Sequence, residues 1–192
     1  TTPDGHPISW DRTDGSRWRI HTGGKPAVRV TYLAYADAPM SGTFSVLDTI
    51  HATWNGPSLF MYVERHKPDP VSLHVVLPQG WHIINGDAAT NDQVDYRFEN
   101  YDRLVDTPTE VAPAFMVDSF TVGGVLYRTM VHHNGPTTPE ERARFVGDVK
   151  KIVTYENSVF GPPPIRMYTF LFHIGFPGGD GMEHLFSTQI AN

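Results

Sequence analysis

The sequence predicts an α+β fold, mainly antiparallel β, with one long helix toward its carboxyl end. Two observations carry this prediction. Short runs of β-branched and aromatic residues fill the first two-thirds of the chain, separated by turns rich in Gly, Pro and Asn. The hydrophobic period then changes once, after Gly135-Pro136. Many short strands with such turns are typical of a sandwich, so we expect a β-sandwich-like amino-terminal domain.

The predicted strands are defined by β-branched and aromatic residues, with alternation in part. They cover residues 27–35, 58–63, 72–77, 94–98, 114–120 and 125–132. After the helix, residues 165–174 are apolar on both faces, which predicts a buried strand. A glycine-rich turn at 177–181 leads into a last predicted strand over 182–190.

Residues 138–160 predict an amphipathic helix. Thr138 can cap the first free N–H groups, Glu141 can reach back to it, and Pro139 suits the first turn. The run 161–164, Gly followed by three Pro, ends the helix. Apolar residues recur on one predicted helical face: Phe145, Val146, Val149, Ile152, Val153, Val159 and Phe160. We place a domain boundary just before this helix, dividing the chain into 1–135 and 136–192.

Composition excludes several functions. The formal net charge is −6 without a basic cluster, which argues against a nucleic-acid partner. There is no cysteine, so disulfides, thiolate metal sites and cysteine nucleophiles are excluded. The longest apolar stretch, near 167–174, is too short for a membrane span. The chain lacks an initiator Met, so we interpret it as cut from a longer protein, periplasmic or cytoplasmic.

The histidines offer no recognisable metal motif. There are 10, and none has the H-E-x-x-H spacing that places two imidazoles on one helical face. His132 and His133 are adjacent in a predicted strand, so they point to opposite faces, and we interpret them as a surface strand end. His173 lies in a buried strand and is predicted to be a core histidine. We assign Asp102 and Asp106 to turn bonding. We therefore predict no catalytic residue and no metal ligand in this chain.

Glu183 is the one acidic residue that follows the glycine turn at the start of a predicted strand. A carboxylate on an edge strand can bind a cationic group such as a free α-amine. The strand's own N–H and C=O groups can pair with an extended peptide. Without other information, the pattern fits a tight hairpin with a solvated Glu183 better.

Three segments resemble a known family. Asp180-Gly181-Met182-Glu183-His184-Leu185-Phe186-Ser187-Thr188 is similar to the G-G-L-E-H-x-x-S-T segment that precedes the zinc helix in the glycyl aminopeptidase family of zinc metallopeptidases. Residues 48–62 resemble D-D-T-H-x-F-F-N-G-x-S-L-F-x-Y, and residues 101–110 resemble Y-D-E-L-V-D-S-P-x-E. The resemblance runs from about residue 17 onward. Asp180 replaces the family's first glycine, and Leu185-Phe186 replace its Arg-Asn.

The resemblance implies that this chain is part of a zinc-dependent aminopeptidase. It would hold the later part of the β-domain and the first helix and strands of a thermolysin-like catalytic domain. Zinc and its H-E-x-x-H helix would lie beyond Asn192, so the piece itself is expected to be inactive and metal-free. Glu183 would bind the substrate's α-amino group, and Gly181 and Met182 would lend backbone groups to the peptide.

The partners expected from this assignment are a peptide substrate of the parent protein and the missing catalytic domain in cis. Unpaired strand edges could also make the piece a homodimer. Two other hypotheses stay open. One is a non-catalytic β-sandwich module that binds peptide or carbohydrate through exposed aromatics such as Trp54. The other is an interaction domain in which the glycine turn is only a hairpin. The aminopeptidase hypothesis requires Glu183 to face an open groove.

Overall fold

The computed structural model describes residues 1–37, 45–133, 135–176 and 179–192. The chain divides into two compact units, Thr1–Ala34 and Tyr35–Asn192. The first unit contains an antiparallel hairpin of β1 (Trp10–Arg12) and β2 (Trp18–Ile20). At the open end of the hairpin, His21 Nε2 lies 2.9 Å from a carboxylate oxygen of Asp11.

Among its described residues, the second unit contains two sheets, a further strand pair and two α-helices. In chain order its elements are β3 (Val46–Leu47), β4 (Ala52–Trp54), a 3₁₀ turn (Gly56–Ser58), β5 (Val71–His74), β6 (His82–Asn85), β7 (Asp95–Phe98), α1 (Tyr101–Val105), β8 (Thr109–Ala112), β9 (Met116–Val122), β10 (Val125–His133), α2 (Pro139–Phe160), β11 (Met167–Ile174), β12 (Asp180–Glu183) and β13 (Ser187–Ala191). No described helix is both long enough and apolar enough to cross a bilayer.

The first sheet is antiparallel, in the order β3-β4-β8-β6, and β5 pairs with β7 beside it. Ile83, Phe98 and Leu104 form part of one buried apolar cluster, so both strand groups and α1 share a core. Asn100 caps α1, because its side chain accepts the Arg103 N–H. This shared core holds α1 in a fixed position next to β4 and β8.

The second sheet has the order β12-β13-β11-β10-β9. Strands β10, β11 and β13 run parallel, while β9 and β12 pair antiparallel at the two edges. Parallel neighbours need a crossover connection, and α2 provides it between β10 and β11. Val149 and Val153 of α2 pack on Phe120 and Tyr127, which covers one face of the sheet. β10 is therefore a central strand with its other face turned toward the first sheet.

Helix α2 confirms the predicted start and corrects the predicted apolar face. Thr138 accepts the Glu141 N–H and Glu141 accepts the Thr138 N–H, so the capping box is present. Only Val149 and Val153 are buried, whereas Ile152, Val159 and Phe160 are mostly exposed. The prediction treated two adjacent stripes as one face, but only the stripe through residues 145, 149 and 153 lies against the sheet.

Several predicted strands differ from the structure. Residues 27–35 form no strand, because high β-propensity without a pairing partner does not make a ladder. Residues 58–63 follow the 3₁₀ turn, and the Phe60 N–H bonds back to the Gly56 carbonyl instead of to a neighbouring strand. The predicted strand 182–190 is two strands joined by a turn. The glycine turn before it lies partly outside the described residues, at 177 and 178.

The proposed boundary at 135/136 stays a prediction. The second sheet contains strands from both sides of it, since β9 and β10 precede residue 135 and β11 to β13 follow it. Within the second unit, strands β10, β11 and β13 of the five-stranded sheet each form hydrogen bonds to residues of the four-stranded sheet.

The interface between these two sheets contains one apolar cluster, which includes Ile84 and Met130, and several buried polar contacts. Arg128 on β10 is buried and donates to the carbonyls of Asn85 and Ala88, at 2.8 and 2.9 Å. Gln189 on β13 donates to the Thr53 hydroxyl at 3.2 Å, and both side chains are buried. Buried polar groups stabilise a fold only when they are hydrogen-bonded. The donor groups of Arg128 and Gln189 named here meet that condition.

Candidate functional site

Strand β12 lies at the edge of the five-stranded sheet and, among the described strands, pairs with β13 alone. The His184 N–H donates to the Ser187 carbonyl at 2.8 Å, which makes that pair a hydrogen-bonded one. Antiparallel pairs alternate, so Met182 is hydrogen-bonded to β13, whereas the N–H and C=O groups of Gly181 and Glu183 point toward the free edge. In agreement, the Gly181 N–H donates to the Asp180 carboxylate at 2.8 Å.

The exposed side chain of Glu183 lines a groove of about 660 Å³. Residues between 55 and 106 form the remaining wall. We call this feature the β12 groove; its lining residues are Asn55, Pro57, Glu99, Asn100, Asp102, Arg103, Val105, Asp106, Met182, Glu183, His184 and Leu185. Its lining includes four carboxylates, those of Glu99, Asp102, Asp106 and Glu183, and one guanidinium, that of Arg103. The groove is therefore suited to a cationic ligand group.

Asp106, predicted to serve turn bonding, holds the end of β12 against α1. Its carboxylate lies 2.9 Å from His184 Nδ1 and accepts the Leu185 N–H at 3.0 Å. Arg103 also pairs with Asp106, at 3.4 Å, and stacks on the Phe186 ring, 4.1 Å from its centroid. Three consecutive residues after Glu183 are thus fixed by one helix end. These contacts set the position of Glu183 relative to the opposite wall.

Met182 takes part in the groove through its side chain. Asn55 Nδ2 lies 3.0 Å from the Met182 sulfur, and the Met182 carbonyl accepts the Thr188 hydroxyl at 3.0 Å. Its backbone is therefore engaged within the sheet. Three residues are expected to bind substrate. Gly181 and Glu183 direct backbone groups toward the free edge of β12, while Met182 lines the β12 groove with its thioether side chain.

Gly56 packs directly against the backbone of α1. A Cβ built on Gly56 would lie 2.4 Å from the Val105 Cα and 2.8 Å from the Val105 carbonyl oxygen, and both are backbone atoms. We expect Gly56→Ala to push the 3₁₀ turn away from α1 and to cost about 1–3 kcal/mol of unfolding free energy, as overpacking does. Urea unfolding measures this cost. A Gly147→Ala control, where a Cβ meets nothing within 4 Å, should not be destabilising; equal losses in both variants would contradict the expectation.

A second feature is a buried group of ionisable side chains, which we call the histidine cluster: His51, Glu110, His132 and His173. Their exposed fractions are 1%, 0%, 7% and 0%. Glu110 lies at the centre: its Oε1 is 2.6 Å from His132 Nδ1, and its Oε2 is 2.9 Å from His173 Nε2. His51 Nδ1 is 3.4 Å from Glu110 Oε1. Glu110 and His51 come from the first sheet and its loop, while the other two come from β10 and β11.

The electrostatics of the histidine cluster favour a charged Glu110. Burial alone would raise the pKa of the Glu110 carboxyl, but hydrogen bonds from the surrounding imidazoles hold it below its ordinary value. Burial would lower the pKa of His51, yet Glu110 and Asp48 raise it above its ordinary value. Phe176 packs against the cluster, with ring centroids 4.9 Å from His51 and 5.0 Å from His132. The carboxylate therefore sits in a site closed by an aromatic ring.

The histidine cluster was missed by the sequence reasoning. His132 is buried, so its interpretation as a surface strand end is wrong. The alternation argument holds, because His132 and His133 do point to opposite faces, but β10 is a central strand with both faces covered. His173 is buried as predicted. Nothing in the spacing of the four residues marks them as neighbours; only the pairing of the strands brings them together.

The three segments that carried the family resemblance converge in space. His51 belongs to the first, Asp106 and Glu110 to the second, and His184 to the third. Asp106 contacts the third segment, while Glu110 contacts the first. Trp54, an aromatic on which the binding-module hypothesis depended, packs against the apolar core instead of standing exposed. The candidate site is therefore the β12 groove, and the histidine cluster is a second feature of the same unit.

Comparison with models of protein families shows which family this chain belongs to. Residues 1–113 match the model of the Peptidase M61 N-terminal domain, which is more than half of the chain. The chain belongs to this family. The match to the M61 N-terminal domain ends just before β9, so the second sheet and α2 follow it. This confirms the family inferred from the three segments. None of the curated proteins matches the chain.

A solved structure supports the fold of this M61 chain over nearly its whole length. The crystal structure of an aminopeptidase N family protein from Idiomarina loihiensis superposes with a TM-score of 0.80 at 23% identity. The similarity covers 96% of this chain and 32% of that protein. The chain thus spans about a third of the length of the protein it resembles. At this identity the similarity establishes the fold.

Proposed function

We propose that this chain is the substrate-side part of a zinc-dependent, glycyl aminopeptidase-like enzyme, in which Glu183 binds the free α-amine of a peptide. The observation that carries the proposal is the position of Glu183. Its carboxylate is exposed on a free strand edge and lines the acidic β12 groove. The M61 family match supports a peptidase, and the substrate and the zinc dependence belong to the proposal.

The backbone of β12 gives the peptide its direction. An extended peptide added at the free edge can bond to the N–H and C=O groups of Gly181 and Glu183. The Glu183 carboxylate then binds the terminal ammonium group of the peptide and fixes where the bound peptide begins. This contact is favoured because a charge-assisted hydrogen bond is stronger than a neutral one. Fixing the amine fixes the first peptide bond at a set distance from it. Orientation of this kind selects cleavage of the first residue.

The zinc centre of the proposal lies outside this chain. The sequence contains no H-E-x-x-H, so its residues do not supply that ligand set. What this chain contributes is recognition of the amine, alignment of the backbone, and the thioether of Met182 beside the peptide. Glycyl and alanyl peptides are the expected substrates, and the parent protein is expected to require metal.

The test uses the longer protein that the proposal requires. It should cleave glycyl and alanyl p-nitroanilides, and chelation should abolish the cleavage. In that protein, we expect Glu183→Gln to lower kcat/KM about 10–100-fold, because a hydrogen bond to a charged group is lost. Glu99→Gln is the matched control, since Glu99 is another exposed carboxylate of the β12 groove but lies off β12.

Binding by this chain alone provides a second measurement. A glycyl tripeptide with a free amine should bind more tightly than its N-acetylated form, and Glu183→Gln should remove the difference. If Glu183→Gln leaves both turnover and amine preference unchanged, the proposed role of Glu183 is refuted. If the whole protein binds zinc but cleaves no aminoacyl substrate, the enzyme assignment is refuted, and a peptide-binding module becomes the better hypothesis.

A further inference from the structure

We propose that the histidine cluster is a divalent-metal site, with His51 Nδ1, His132 Nδ1 and Glu110 Oε1 as ligands. Each of these three side chains offers a ligand atom, and the offered atoms lie within 4.8 Å of one another. The chemical class is a first-row ion such as Zn²⁺, because two imidazoles and one carboxylate are a ligand set typical of zinc. The residues share no H-E-x-x-H spacing, so the site is separate from the zinc centre proposed above and does not depend on it.

The ligand atoms are close to a coordinating arrangement. Bonds of about 2.0–2.1 Å around a tetrahedral ion place neighbouring ligand atoms roughly 3.3 Å apart. His51 Nδ1 and Glu110 Oε1 are 3.4 Å apart, which fits without movement. His132 Nδ1 and Glu110 Oε1 are hydrogen-bonded at 2.6 Å. Metal binding would replace that bond and increase the distance between the two atoms by about 0.7 Å.

His51 presents an unused lone pair. Its Nδ1 is buried and has no hydrogen-bond partner among the described residues. Its Nε2 lies 3.5 Å from the Asp48 carboxylate, which is itself fixed by the N–H groups of Ile50 and His51. A carboxylate beside one ring nitrogen favours the proton on that nitrogen and leaves the other as an acceptor. Asp48 thus holds the His51 ring with Nδ1 on the side of Glu110, where the two atoms can share a cation.

Charge also favours a cation here. Among the described residues, the ion pairs of Glu110 are with histidines only, and no lysine or arginine pairs with it. A buried carboxylate without a permanent positive partner is costly. A divalent ion would neutralise it while the imidazoles stay neutral. His173 bonds the other oxygen of Glu110, which orients the carboxylate in the way that partners of metal ligands commonly do.

The site would join the two sheets of the second unit. His51 and Glu110 come from the first sheet and its loop, and His132 comes from β10, an interior strand of the second sheet. A bound ion would therefore link segments that lie far apart in the sequence. Because such a site exists only in the folded chain, metal binding stabilises the fold by mass action.

The experiment is a Co²⁺ titration of the metal-stripped chain, followed by absorption in the visible range. We expect one equivalent of Co²⁺ per chain, with the intense bands of a low-coordinate site, and displacement by one equivalent of Zn²⁺. His51→Asn and His132→Asn should each lose these bands. His133→Asn should retain them, because His133 points to the other face of β10. The thermal midpoint of the wild-type chain should rise with Zn²⁺ and fall back after chelation.

A measurement on the wild-type chain avoids variants that fail to fold. Long-range ¹H–¹⁵N correlations should show the Nδ1 resonances of His51 and His132 moving on addition of Zn²⁺, while those of His133 stay in place. The proposal is overturned if the wild-type chain takes up no stoichiometric metal. It is also overturned if folded His51→Asn and His132→Asn bind Co²⁺ as the wild type does, or if Zn²⁺ moves the resonances of surface histidines only.

Discussion

Glu110→Gln is expected to lower the free energy of unfolding by about 3–5 kcal/mol, measured without metal. The side chain has an exposed fraction of 0% and bonds to His132 and His173 through its two oxygens. Gln keeps the shape but removes the charge and turns one acceptor into a donor. One imidazole then faces an N–H group in a closed, low-dielectric site. A broken buried network of this kind is among the few mechanisms that produce losses of this size.

Amide exchange of β8 and β10 in urea measures the effect, since both strands belong to the second unit and report its unfolding directly. Glu156→Gln on the exposed side of α2 is the control, and we expect it to change stability by less than about 0.5 kcal/mol. If Glu110→Gln costs less than about 1 kcal/mol, the histidine cluster contributes little to the stability of the metal-free protein.

Arg128→Met is expected to cost about 3 kcal/mol or more. The guanidinium is buried, and it donates to the Asn85 and Ala88 carbonyls and to the Thr169 hydroxyl. Met fills a similar volume but offers no donor, so two carbonyls at the sheet interface lose their bonds to the side chain. Hydrogen bonds to a charged group contribute about 1.5–3 kcal/mol each, and the partners left behind are costly when buried.

The same exchange measurement should show β6 and β10 opening more readily in Arg128→Met, because the lost bonds join the Asn85 end of β6 to β10. Arg144→Met, at an exposed position on α2, is the matched control and should leave exchange of these strands unchanged. A loss in Arg144→Met as large as in Arg128→Met would mean that methionine itself, and not the missing donor, causes the effect.

Much of the second sheet could be predicted from the sequence. Helix α2 carries its own start and stop signals in Thr138, Glu141 and the proline run, which act within a few residues. Strands β9, β10 and β11 are continuous runs of suitable residues, and strands β5 and β7 are short but bounded by turns. Glu183 could be singled out because its residue type and the preceding glycines suffice to indicate an exposed carboxylate. In each case the information is local.

The histidine cluster and the first sheet could not be predicted in the same way. Strands β3, β4, β6 and β8 have two to four residues each, too few for a period to stand out. His51, Glu110 and His132 meet only after these strands pair, and the distance between them along the chain hides their relation. The exposed stretch 27–35 shows the opposite error, since favourable residue types do not create a partner strand.

The hydrogen bonds between the two sheets have a geometric consequence. Apolar surfaces can slide over each other at small cost, whereas hydrogen bonds such as Gln189 to Thr53 and Arg128 to Ala88 tolerate little change in angle. Such directional bonds fix the angle between the two sheets and, through the pairing of β13 with β12, the position of β12. The width of the β12 groove is therefore set in part by contacts that lie outside the groove itself.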